Sequence, residues 1–136
     1  MLAILFCAML SSQIPADTSN AALCDSPRKP DLLACAENQR REAQANLDRY
    51  LSVATKVLAE ESPSVMAAFN RAQKAWLAYA DAECRVLYES SGQGEREIQF
   101  AFCRVGQIRA RTHEIWSLYL ADVDAGLPEP PGPCDP

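Results

Sequence analysis

The chain has 136 residues, room for one domain, and 49% of them are hydrophobic while only five are glycine. Thirteen Lys and Arg against eighteen Asp and Glu leave a net charge of -5, which steers the protein towards basic partners and away from nucleic acid and anionic lipid. The basic residues are scattered, with Arg28-Lys29 and Arg40-Arg41 the adjacent pairs, so no phosphate-binding stripe is expected, and Ala, Leu, Glu, Arg and Gln make the chain helix-forming material.

The first sixteen residues, MLAILFCAMLSSQIPA, are uncharged and hold an apolar run from Leu2 to Leu10. Spanning a bilayer takes about 20 apolar residues, so this run is too short for a membrane anchor and suits a secretory signal leaving at Ile14-Pro15-Ala16. The usual basic stretch before such a run is missing, and a buried N-terminal helix is the competing reading. We therefore expect a signal peptide over 1–16, a helical domain over 17–123 and a proline-rich tail over 124–136. The mature chain would keep the full charge and would not insert into a membrane.

After removal of Cys7, five cysteines remain: Cys24, Cys35, Cys84, Cys103 and Cys134. In a small exported protein this density points to disulfides rather than to catalysts or ligands. There is no Cys-x-x-Cys pair and His113 is the one histidine, which argues against a thioredoxin-like centre and against a zinc site. No metal or cofactor is expected.

Asp31 is placed to cap a first helix over about 32–60, with Leu47, Tyr50, Leu51, Ala54, Val57 and Leu58 as its apolar stripe. Ser62-Pro63-Ser64 breaks it. A second helix over about 64–89 carries Val65, Phe69, Ala72, Trp76, Tyr79 and Val86 on one face, and the glycines of SSGQG end it. A third helix over about 95–123 carries Ile98, Phe102, Val105, Ile108, Thr112, Ile115, Trp116 and Tyr119, and the prolines after Gly126 cannot continue it. The expected fold is all-α: a small disulfide-stapled three-helix bundle running up, down and up. Counted from the turn at Gly94, Cys84 and Cys103 stand level on neighbouring helices, and Cys24 and Cys35 lie at the same end. Pairing Cys84 with Cys103 and Cys24 with Cys35 is the first choice; Cys35 with Cys84 and Cys24 with Cys103 is the alternative. Cys134 is left over.

The sequence LDRYLSVATKVL, then RAQKAWLAYADAEC, a glycine turn and CRVGQIRARTHEIW resembles the N-terminal domain of the LprI-like lysozyme-inhibitor family over roughly 24–120. The residues that carry the resemblance are Gln73, Trp76, Tyr79, Asp81, Cys84, Cys103, Arg111 and Thr112. It implies an exported helical protein, periplasmic or secreted, with paired cysteines and lysozyme as the bound partner. One departure is Ala80, where the family pattern has a basic residue.

On their inward stripes, Trp76, Tyr79 and Trp116 read as core residues. Asp81 with Arg109 or Arg111 reads as an ion pair tying the second helix to the third, and His113 as a solvated helix residue. Glu95 and Glu97 suit the positive start of the third helix and, on a protruding turn, are also candidate contacts for a cationic lysozyme. Three function classes follow: an inhibitor occluding lysozyme with an acidic surface, an envelope or secreted interaction module with another partner, and a glycan hydrolase. The last needs two carboxylates, one held in an apolar site, and none can be picked from the stripes, so the chain is read as a non-enzyme.

Overall fold

The computed structural model describes residues 18–132; the expected signal segment, Cys7 and Cys134 lie outside the described residues. Four helices follow one another: α1 (Thr18–Cys24), α2 (Lys29–Ala59), α3 (Pro63–Ser90) and α4 (Arg96–Tyr119). The three long ones form the expected bundle. α4 packs along both α2 and α3, whereas α2 and α3 touch more sparsely, so α4 is the central element. No helix among the described residues is long and apolar enough to cross a membrane.

The short helix α1 was not foreseen. It folds back on α2, held by the Cys24–Cys35 bridge, with Cα atoms 5.1 Å apart, and by a hydrogen bond of 3.1 Å from Asn38 Nδ2 to Asn20 Oδ1. α2 also starts earlier than Asp31 suggests, because Pro30 fits the first turn of a helix. Asp31 lies inside that turn, where it accepts 2.6 Å from Ser26 Oγ. α3 starts at Pro63 behind Ser62, whose hydroxyl accepts from the Val65 amide at 3.3 Å. A second bridge, Cys84–Cys103, with Cα atoms 5.5 Å apart, staples α3 to α4.

The core is built from Ala43, Leu47, Tyr50 and Ala54 of α2, Phe69 of α3, and Ile108 and Ile115 of α4, with Leu120 just beyond. The expected stripes of α2 and α4 hold. That of α3 does not: Phe69, Ala80 and Cys84 face inward, Val65 and Trp76 are half-buried, and Ala72, Tyr79 and Val86 are exposed. A strict seven-residue repeat drifts about 20° per heptad on a straight helix, so a stripe read from Val65 to Val86 rotates away from the core. The buried Cys84 sets the true face.

α4 ends at Tyr119, short of the expected Val123, because the amide of Ala121 reaches back to the Trp116 carbonyl and loosens the last turn. Gly126, at φ 67°, then reverses the chain. The proline-rich segment beyond it is no free tail. Leu127 packs against the core, Pro130 is buried, and the Tyr50 hydroxyl donates to the Pro128 carbonyl at 2.6 Å. His113, expected to be solvated, is half-buried with Nε2 3.3 Å from Glu129 Oε1 of this strap.

Candidate functional site

The residues singled out by the sequence fall into an inner and an outer set. In the inner set, the Cys84–Cys103 bridge fixes an antiparallel register in which Arg111, about two turns above Cys103, faces Trp76, about two turns before Cys84. Arg111 is only 6% exposed. Its Nε donates to Gln73 Oε1 at 2.9 Å, its Nη2 donates to the same oxygen, and its Nη1 donates to Glu114 Oε2 at 2.6 Å. The guanidinium also lies 5.9 Å from the centroid of the Trp76 ring. A buried cation is tolerated when its donors are satisfied, and here an amide oxygen, a carboxylate and an aromatic face do so. Thr112 donates to the Ile108 carbonyl at 3.0 Å. This set joins α3 to α4.

In the outer set, Tyr79 is 56% exposed and Asp81 is exposed, its side chain without a hydrogen bond or ion pair to any described residue. The expected pairing of Asp81 with Arg109 or Arg111 is not formed. Arg111 is taken by Gln73 and Glu114, and Asp81 sits about 100° around α3 from the inward Ala80, on a lower turn. Ala80 itself is 0% exposed. Its departure from the family pattern therefore lies at an inward position of the bundle.

Glu95 and Glu97 are exposed at the start of α4. Glu95 is partly neutralised by Lys29 Nζ at 3.6 Å. The same end carries Arg85, stacked 5.3 Å from Tyr88 and 5.2 Å from Phe100, and Arg96, 5.1 Å from Tyr88. Further along α2, Arg40 donates to both carboxylate oxygens of Glu37 at 2.8 Å and holds that carboxyl below its usual range. On this half of the molecule Asp31, Glu37 and Glu95 have ion-pair partners in Arg28, Arg40 and Lys29, whereas Glu83, Glu89 and Glu97 have no ion pair to a described residue.

A cleft between the strap and the helices is lined by Glu42, Asn46, Arg109, Thr112 and Pro130. It brings one carboxylate, not the pair that glycoside hydrolysis uses. Among the described residues no three His, Cys, Asp or Glu side chains are grouped to hold a metal ion.

A family model described as lysozyme inhibitor LprI matches residues 22–115, more than half of the sequence. The chain belongs to the lysozyme inhibitor LprI family. No curated protein and no solved structure matches it. The LprI region takes in both disulfides, the joint at Gln73, Trp76 and Arg111, and the exposed Tyr79 and Asp81, and it stops before the strap. The family is described as one of inhibitors rather than catalysts.

Proposed function

We propose that this protein is an exported lysozyme inhibitor that binds a cationic lysozyme through its acidic surface and occludes the enzyme's cleft. The observation that carries this reading is the LprI match over residues 22–115, on a chain of net charge -5. The fold supports it: two disulfides and a buried Arg111 joint make a rigid body, and rigidity limits the ordering cost of binding. Opposite charge supplies encounter rate and specificity more than affinity. Within this reading the sequence nominates Glu95 and Glu97 as contacts, and both are exposed on the α3–α4 turn. Export rests on the uncharged apolar leader and on disulfides, which persist in oxidising compartments.

Lysozyme digestion of cell walls, titrated with the oxidised protein and with a reduced and alkylated control, tests the function. Stoichiometric inhibition that disappears on reduction is expected. A large molar excess without inhibition would rule the function out and leave an interaction module with another partner. Intact-mass measurement of protein recovered from the medium or periplasm tests the processing, with Asp17 expected as the first residue.

A further inference from the structure

Where the two ends of the bundle differ, the lysozyme reading can be given a surface. At the end away from the α3–α4 turn, an open groove is lined by Val57 and Leu58 of α2 and by Leu118, Leu120 and Val123 at and beyond the end of α4. Two of these stay in solvent: Leu118 is 60% exposed and Val123 is 43% exposed. Glu61 and Asp122 stand in its wall, and Glu60 and Asp124 are exposed next to them in the chain. None of these four carboxylates has a hydrogen bond or ion pair to the side chain of a described residue.

The position of Asp122 and Asp124 costs folding stability. Helix C-termini carry partial negative charge, and α2 and α4 both end here against the single N-terminus of α3. Asp122 and Asp124 follow on α4, whose last turn holds no basic residue, whereas Glu60 and Glu61 lie between the end of α2, with Lys56 in its last turn, and the Ser62 cap of α3. Glu95 and Glu97 are the opposite case, since a helix N-terminus and Lys29 already account for them. Unpaired acids around an apolar groove left open, two of them at a helix end that disfavours them, complement a ligand that brings both positive charge and apolar surface.

We infer that this groove is the face that docks the cationic lysozyme, with Leu118 and Val123 as the apolar contacts and Glu60, Glu61, Asp122 and Asp124 as the rim that meets Lys and Arg. The assignment rests on the inhibitor reading. The test compares three proteins, all disulfide-intact: the native chain, the combined Glu60→Gln, Glu61→Gln, Asp122→Asn and Asp124→Asn variant, and a Glu95→Gln, Glu97→Gln variant of the acids at the start of α4. Each is titrated into lysozyme, with binding followed by calorimetry at low and physiological salt and thermal unfolding recorded alongside. The four-site variant is expected to bind at least about tenfold more weakly at low salt while unfolding at an equal or higher temperature, and to lose more affinity than the Glu95 and Glu97 variant. Loss in the Glu95 and Glu97 variant with the four-site variant intact would overturn the groove and leave inhibition standing. A native chain that neither binds nor inhibits would overturn both.

Discussion

Arg111 concentrates more of the α3–α4 joint than any other side chain, because its donors reach Gln73 across the joint and Glu114 on its own helix while its plane lies over Trp76. Arg111→Ala removes the hydrogen bonds and the packing of a buried stem together, and should cost about 2–3 kcal/mol. Arg111→Lys keeps the charge but cannot reproduce the planar fork, so it should recover less than half of that loss. Urea midpoints measure both; an alanine variant as stable as the native chain would show that the bridge alone holds the joint. Tyr50→Phe probes the strap in the same way. It removes the donor to the Pro128 carbonyl and should lower stability by about 1 kcal/mol in the same titration.

The two disulfides close short loops and by chain entropy are worth about 3 kcal/mol each, but they hold different elements. Replacing Cys84 and Cys103 by Ala loosens α3 from α4 and should lower the global unfolding midpoint. Replacing Cys24 and Cys35 frees only α1, so amide exchange should quicken over residues 18–24 while the core is protected as before. Stopping the chain at Gly126 removes the half-buried Leu127 and the buried Pro130, and should cost about 2–4 kcal/mol in thermal unfolding. The strap also marks where sequence reading stopped. Helix periods, Ser62-Pro63 and the glycine turn are local signals, and they placed three helices and a level pair of cysteines. The partner of Tyr50 lies 78 residues away in the chain, and nothing local to a run of prolines names it. Seven residues of α1 are too few to carry a period, and on α3 a plausible repeat hid the inward face until Cys84 was taken as its anchor. The Arg111 joint was legible in principle, since the register set by Cys84 and Cys103 already brings Trp76 level with Arg111.

For the whole molecule, charge is distributed unevenly along the bundle axis. At the α3–α4 turn Lys29 pairs with Glu95 and the bases Arg85 and Arg96 stand close by, whereas at the other end Glu60, Glu61, Asp122 and Asp124 have no ion pair to a described residue and Lys56 is the base in the last turn of α2. Such a gradient orients an approaching cationic protein before contact, and its reach is set by salt: the screening length shrinks from about 30 Å at 0.01 M to about 8 Å at 0.15 M. The apolar contacts of Leu118 and Val123 form only after docking and are not screened. Association of the protein with a cationic lysozyme should therefore slow by about tenfold or more over that range of salt, while dissociation changes far less. Stopped-flow mixing at several ionic strengths separates the two rates. Steering by the acidic end requires that the salt dependence of association flatten in the four-site neutralised variant; an unchanged slope would place the attraction in the net charge of the whole chain and not in that end.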